Sequence, residues 1–189
     1  MGPVDDGFRR LGPDPFALPL DRRDHTRRLR GRLVAPVTVW TAYGTGGMPT
    51  GISVSSVLVV EGDPPCVIGL IGPVSEFWEA VQYSRRFVVH ILGADQTRIA
   101  DQFAARYPGD PFDGLAACQS DAGPILDVVG TRAACELSGY MEAGYFLLLR
   151  GVIGDMTMAK DEVAPLVHYR GRYVTTAVRR TSKLMRDKR

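Results

Sequence analysis

A chain of 189 residues with 45% hydrophobic and 23% charged residues has the length and composition of one globular domain, which excludes two full domains and a disordered chain. The formal net charge of +2, with the basic residues gathered at the two ends, lacks the single basic patch of a nucleic-acid-binding protein. The cysteines form no CxxC pair and no apolar run suits a signal peptide or membrane span, so we expect a cytoplasmic protein without disulfides, metal ligands or membrane contact.

The two ends of the chain differ in composition from the part between them. Residues 1–19 are rich in glycine and proline and predict a flexible or draped arm, and the arginine-rich stretch 21–33 predicts a short surface helix. We therefore divide the chain into an N-terminal arm with a short helix (1–31), a domain (32–176) and a basic C-terminal tail (177–189).

The first part of the domain has the pattern of antiparallel strands. Residues 34–44 and 50–62 are rich in β-branched and aromatic residues and flank a glycine-rich turn, so they predict a hairpin. The apolar run at 66–72 predicts a buried strand, residues 75–84 a helix capped by Ser75, and residues 86–93 a further strand.

The second part continues with one helix and more strands. Residues 94–107 predict a helix, and the strand pattern is weak at 116–118 and 131–138 but strong at 145–158 and 165–174. About six strands with short helices and no βαβ alternation favour an antiparallel barrel over a doubly wound sheet. We therefore expect a mainly β fold.

Residues 46–93 hold a composite motif: GISVSS at 51–56, the turn DPP at 63–65, a serine-led helix, and SRRF at 84–87. In order and spacing this pattern resembles the flavin reductase-like family, and the resemblance extends over roughly residues 32–175. It implies a six-stranded antiparallel split β-barrel with short connecting helices, usually a homodimer, with FMN or FAD bound near the subunit interface.

The alternation of the strand at 50–62 suits a flavin. It places Ile52, Val54, Leu58 and Val60 on one face, which we expect inside the barrel, and Gly51, Ser53 and Ser55 on the other. With the resemblance, this predicts a set of cofactor-binding residues: Thr41, Thr50, Gly51, Ser53, Ser55, Ser56, Ser75, Ser84, Arg86, His168 and Tyr169. Val57 and Val59 continue the second face as apolar surface and therefore predict a homodimer.

Charge and helix position suggest how the flavin phosphate is held. Ser75 starts a helix and offers a hydroxyl with backbone N–H groups, and Arg86 matches the arginine of the S-x-R-F motif, whereas we expect Arg85 to be solvated. The resemblance also places His168 and Tyr169 near the nicotinamide, in exchanged order relative to many members, with Phe146 where reductases often carry a histidine.

The expected function is that of an NAD(P)H:flavin oxidoreductase, which passes a hydride from NADH or NADPH to FMN or FAD and supplies the reduced flavin to a partner oxygenase. The flavin carries the chemistry, so we name no catalytic residue. Two alternatives are a non-catalytic flavin-binding electron carrier or sensor, and a binder of another planar cofactor such as a deazaflavin or haem.

Overall fold

The computed structural model describes residues 25–106, 108–160 and 163–175, so the arm at 1–19 and the tail at 177–189 lie outside it. Three helices are present in this part of the chain: α1 (His25–Arg30), α2 (Glu76–Ser84) and α3 (Thr97–Gln102). The strands are β1 (Ala35–Pro36), β2 (Thr38–Tyr43), β3 (Pro49–Val54), β4 (Val57–Val60), β5 (Cys66–Ile71), β6 (Arg86–Ile91), β7 (Ala117–Cys118), β8 (Ile125–Leu126), β9 (Arg132–Ala143), β10 (Phe146–Thr157), β11 (Leu166–Tyr169) and β12 (Arg172–Thr175). Among the described helices, none has the length and apolarity needed to cross a bilayer.

One antiparallel sheet dominates the fold, with the strand order β3-β2-β6-β9-β10-β5-β4. It has seven strands where six were predicted, because the single strand expected at 50–62 is interrupted at Ser55 and Ser56. The first half, β3, pairs with β2 as the predicted hairpin, while the second half, β4, pairs with β5. Consecutive segments of chain therefore form the two opposite edges of the same sheet, so the sheet must curl.

Large aromatic side chains fill the inside of the curled sheet. Trp40 and Phe87 are fully buried and stack with ring centroids 5.0 Å apart, and Phe77 meets both rings edge-on at 6.1 Å. Glycine is required opposite these rings, because a Cβ atom at Gly69 would collide with Trp40 and one at Gly151 would collide with Phe87. Such buried aromatic clusters supply much of the stability of a small core.

Helix α2 closes one end of this core. The Ser75 hydroxyl accepts a hydrogen bond from the Trp78 N–H, as the sequence predicts for an N-cap, and Phe77, Trp78 and Val81 face inward. The helix ends at Arg85, which adopts the left-handed conformation with φ of 60° and returns the chain into β6.

A second apolar layer covers the outer surface of β2, β3 and β6, which we name the covered half. It consists of α3, residues 112–130 and β11. The buried cluster that it forms with the residues beneath it comprises Val37, Val39, Leu92, Ile99, Ala100, Phe103, Leu126, Val129 and Leu166. Helix α3 is shorter than the predicted helix at 94–107, because the chain leaves the helical path after Gln102. Val39 thus lies outside the curled sheet while its neighbour Trp40 lies inside.

Two buried polar side chains fasten this layer to the sheet. The Thr41 hydroxyl donates to the Pro124 carbonyl at 2.6 Å, and His90 joins the Val39 carbonyl at Nδ1 (3.1 Å) to the Leu126 N–H at Nε2 (3.1 Å). Both side chains are fully buried, and both ring nitrogens of His90 have hydrogen-bond partners, so this histidine is part of the core. Burial lowers the pKa of His90 to about 4, which keeps the ring neutral with its proton on Nδ1.

The outer surface of β4, β5 and β10, which we name the bare half, has no such cover from the described residues. Leu58 pairs with Ile68, and Leu70 pairs with Leu148, so these apolar side chains lie in two adjacent rows. Leu58 is 67% exposed and Val60 is 40% exposed, so their predicted place inside the barrel is wrong. The break at Ser55 and Ser56 explains the error, because it resets the strand alternation, and Val57 packs against the core instead.

The C-terminal part forms a small separate sheet of β1, β11 and β12. The strand predicted at 165–174 is in fact a tight hairpin, with Arg170 and Gly171 in the turn at positive φ. Arg170 N–H donates to the Gly31 carbonyl at 2.9 Å, which ties the end of α1 to this turn. The short helix predicted at 21–33 is present as α1 within its described residues.

Candidate functional site

The break between β3 and β4 is the part of the predicted flavin strand that leaves the sheet pairing. Ser55 and Ser56 are partly buried, and their N–H groups donate to no backbone carbonyl among the described residues. The Ser56 hydroxyl instead bridges to the carbonyl and the N–H of Leu70, both at 3.3 Å. Two neighbouring amides without backbone partners can bind a ligand that carries ring carbonyls and ring nitrogens, which is the chemistry of the flavin pyrimidine edge.

The turn after β5 lies next to this break, since it begins two residues beyond Leu70. The Ser75 hydroxyl donates to the Gly72 carbonyl at 2.8 Å while accepting from Trp78, so the turn is internally bonded. Tyr140 packs edge-on against Trp78 with ring centroids 4.7 Å apart and is half-exposed. The sequence prediction missed Tyr140, because the weak strand pattern at 131–138 ended before it.

Three predicted site residues are covered by the second apolar layer. Thr41 is fully buried beneath Pro124. Phe103 packs so closely against Gly51 that a Cβ atom at position 51 would collide with the Phe103 ring. Ser53 donates its N–H to the Phe103 carbonyl at 2.9 Å and its hydroxyl to the Ala100 carbonyl at 2.6 Å. The absent side chain of Gly51 thus makes room for Phe103 rather than for a flat ligand, and in this conformation none of the three faces an open site.

The residues predicted to hold the phosphate are separated by helix α2. Ser75 lies before its first residue, whereas Ser84 and Arg86 lie at its end. The helix has nine residues, so these two groups are about 13 Å apart along its axis. One phosphate therefore contacts one end of α2 and not both.

The two ends of α2 also differ in charge. Glu76 and Glu79 are exposed in the first turn, whereas Arg85 and Arg86 are exposed at the end. The Arg85 guanidinium donates to the Leu137 carbonyl at 3.1 Å, while the Ser84 hydroxyl lies 2.9 Å from the Ala80 carbonyl and 3.0 Å from the Arg86 carbonyl and donates its one proton to either. Carboxylates repel a phosphate and arginines attract it, so the Arg86 end suits an anion better.

His168 and Tyr169 lie on β11 in the small sheet and, as the alternation requires, face opposite sides. His168 meets Tyr173 edge-on at 5.9 Å, and the Arg170 guanidinium lies 5.3 Å from the centre of the Tyr169 ring. Burial, followed by the charges of Arg106 and Arg30, lowers the pKa of His168. These two arginines were not predicted as site residues, because their sequence positions are remote from His168.

The last predicted site residue, Thr50, lies on the β2–β3 hairpin, where it is partly buried and paired with Ala42. The predicted set therefore falls into four places: the break with Ser55 and Ser56, the two ends of α2, the hairpin beneath the second layer, and β11. Of these, the break and the Ser75 turn are adjacent, and the others are separate.

Comparison with known proteins agrees with this architecture. Residues 30–177 match the family model of the flavin reductase like domain. The chain is 30% identical over 148 residues to a flavin reductase of Pseudomonas putida, covering 78% of this chain and 86% of the relative. It is 30% identical over 161 residues to an NADH:riboflavin 5'-phosphate oxidoreductase of Streptomyces pristinaespiralis, covering 84% and 91%. The structure of nitrilotriacetate monooxygenase component B from Mycobacterium thermoresistibile superposes with a TM-score of 0.74 at 30% identity, covering 80% and 84%.

Proposed function

Because this chain belongs to the flavin reductase-like family, we propose that it is an NAD(P)H-dependent flavin reductase that supplies reduced flavin to a partner oxygenase. The relatives support each part of this function, since one is named an NADH:riboflavin 5'-phosphate oxidoreductase and another is a monooxygenase component. The flavin is FMN, with FAD as the alternative, and the co-substrate is NADH, with NADPH as the alternative. The activity resides in residues 32–176.

The break at Ser55 and Ser56 is the observation that carries this proposal. The matched part of the chain contains one strand that changes sheet edge, and it does so where two adjacent amides have no backbone partner. We place the flavin pyrimidine edge at these amides, with Ser56 held in position by Leu70. Thr50 and Ser75, one at the hairpin and one at the neighbouring turn, complete the polar surroundings.

A flavin held at the amides of Ser55 and Ser56 would supply the redox chemistry, the two-electron exchange with the nicotinamide co-substrate. The task of the chain is to hold the two rings together and to place N–H donors where negative charge develops. The amides of Ser55 and Ser56 meet this requirement without an acid, a base or a nucleophile. Gly51 and Ser53 act one step away by holding β3 against the second layer, and Thr41 does the same for β2.

Arg86 is the proposed anchor of the flavin phosphate, and Ser84 orients the backbone beside it. Replacement of Arg86 by alanine removes a charge-assisted contact worth roughly 1.5 to 3 kcal/mol, which weakens FMN binding about ten- to hundredfold. Arg85→Ala is the matched control, because that guanidinium is bound to Leu137. Riboflavin, which has no phosphate, should bind the Arg86 variant and the parent alike; equal losses for both ligands would assign Arg86 to the fold.

We further propose that the curled sheet is a split barrel closed through the continuous chain of β3 and β4, and that two copies associate through the bare half. An apolar surface of this kind is costly to expose to water, which favours a second copy over solvent. We place the protein in the cytoplasm, where its three free cysteines stay reduced.

A visible spectrum and a turnover assay test the function directly. The purified protein should oxidise NADH when FMN is added, and the rate should depend on both. A yellow protein without turnover would favour the electron carrier or sensor, in keeping with Phe146 at the position of the family histidine. A protein that binds no flavin would favour the remaining alternative, a binder of a different planar cofactor.

A further inference from the structure

Basic residues gather at the two ends of the sequence, and the fold brings the described parts of both ends together. The Gly31 carbonyl, just after α1, accepts a hydrogen bond from the Arg170 N–H at 2.9 Å, and β1 pairs with β11. Helix α1 therefore lies beside the β11–β12 turn. We name residues 25–34 and 169–172 together the basic surface.

The charged side chains of the basic surface are of one sign. Its two segments contain six arginines and no carboxylate. Five of these arginines are exposed, and none of the five has a carboxylate within 4 Å in the described part of the chain: Arg28, Arg30, Arg32, Arg170 and Arg172. Guanidinium groups without carboxylate partners attract phosphate oxygens, which they can bind through paired hydrogen bonds.

Apolar side chains lie among these arginines. Leu29, Leu33 and Val34 are 67%, 65% and 63% exposed. Leu29 lines one cavity of about 320 Å³ together with Arg28 and Arg32, so the apolar and the charged side chains share one surface. Helix α1 has no buried residue, and a helix this short depends on contacts outside itself for stability.

We propose that the basic surface binds the surface of a lipid bilayer that contains anionic lipids. The arginines contact the lipid phosphates, and Leu29, Leu33 and Val34 enter the boundary between headgroups and acyl chains. The tail at 177–189 follows β12 of the same small sheet, and its six basic residues and one acidic residue add to the attraction. This peripheral contact departs from the expectation of no membrane contact, which considered only a membrane span.

The combination of charge and apolar surface favours a bilayer over other anionic partners. A nucleic acid offers phosphates but no apolar layer for the two leucines. The core of a protein–protein interface is depleted of charged residues, whereas Leu29 lies beside Arg28 and Arg32. An anionic bilayer offers both kinds of contact, and it attracts every basic residue that lies near its surface.

Co-sedimentation of the full chain with vesicles tests the charged part of this proposal. The protein should bind vesicles of equal parts phosphatidylcholine and phosphatidylglycerol, and it should not bind vesicles of phosphatidylcholine alone. The double variant Arg28→Gln, Arg32→Gln should bind about tenfold more weakly or worse. The matched control is Arg98→Gln, Lys160→Gln, which removes the same charge from exposed residues outside the basic surface and should keep the parent affinity.

A second double variant tests the apolar part. Leu29→Gln, Leu33→Gln keeps every charge and should still weaken vesicle binding about tenfold, because less apolar surface enters the bilayer. Each variant should keep the circular dichroism spectrum of the parent, since the substituted side chains are exposed. NADH oxidation in solution should also be unchanged, because none of these residues lies at the proposed flavin site, so the vesicle result is independent of the reductase function.

Three results would overturn the proposal. Equal losses in the two charge variants would reduce the binding to net charge. Vesicle binding that survives Leu29→Gln, Leu33→Gln, together with equally tight binding of a DNA duplex, would assign the surface to nucleic acid. A parent protein that binds neither kind of vesicle would favour an acidic protein as the partner.

Discussion

The covered half and the bare half are two outer surfaces of one sheet, and they differ in what lies over them. Over β2, β3 and β6 the chain itself supplies an apolar layer, fastened by Thr41 and His90. Over β4, β5 and β10 the described chain supplies nothing, although Leu58, Ile68, Leu70 and Leu148 are equally apolar. An apolar strand face therefore predicts that something covers it, but not whether the cover comes from the same molecule.

The largest effect is expected from a charge placed on the bare half. Leu58→Asp should dissociate the proposed dimer, because a symmetric interface then contains two buried carboxylates. We expect the free energy of association to weaken by about 4 kcal/mol or more. Sedimentation velocity at micromolar concentration measures it. The monomer should keep its circular dichroism spectrum, since Leu58 is exposed within one chain. A parent protein that is already monomeric would refute the association.

On the covered half, removal of buried volume should destabilise the single chain. Leu126 is fully buried, and Leu126→Ala should lower the free energy of unfolding by roughly 2 to 5 kcal/mol. Leu58→Ala is the counterpart on the bare half and should change the unfolding of the monomer by less than about 0.5 kcal/mol. Urea denaturation at low protein concentration compares the two. Similar losses for both variants would remove the distinction between the halves.

Acid should loosen the covered half through His90. Its pKa is about 4 when folded and 6.5 in the unfolded chain, so the unfolded state binds more protons between these values and stability falls as the pH drops from 6.5 towards 4. The loss approaches about 3 kcal/mol. The lowered pKa of His168 acts in the same direction. The contribution of His90 is therefore measured as the difference in the free energy of unfolding between the parent and His90→Gln, by urea denaturation at each pH in this range. Parallel pH profiles would show that His90 contributes nothing.

The smallest expected effect concerns Thr41. Thr41→Val keeps the shape of the side chain but leaves the Pro124 carbonyl without its donor, which should cost about 1 kcal/mol of unfolding free energy. Flavin affinity should not change, because the hydroxyl is buried. A tenfold weaker flavin affinity, measured by fluorescence titration, would restore Thr41 to the cofactor site.

The elements were predictable where the local pattern is strong. Alternation indicated β2 with β3, Ser75 and its apolar spacing indicated α2, and apolar runs indicated β5, β6 and β10. The GISVSS motif indicated the family, which the match over residues 30–177 confirms. Local patterns thus determine the elements and their order.

What could not be predicted depends on contacts between distant segments. The break at Ser55 and Ser56 changes the face of Leu58, and no residue in that strand marks it as an edge-to-edge crossing. Gly51 and Ser53 were predicted to face a ligand, but the position of Phe103 is set by packing 50 residues away in the chain. Ser75 and Arg86 are close in sequence, yet α2 separates them.

The crossing at Ser55 and Ser56 also has a consequence for folding kinetics. Within the large sheet, the hairpins β2–β3, β4–β5 and β9–β10 form between neighbouring segments, whereas β2–β6 and β5–β10 join residues far apart in the chain. Local pairs form early and distant pairs form late, so the two serines connect hairpins that become parts of one sheet only near the end of folding. A ligand held at this junction would bind only the completed sheet, and flavin should therefore slow unfolding much more than it speeds folding.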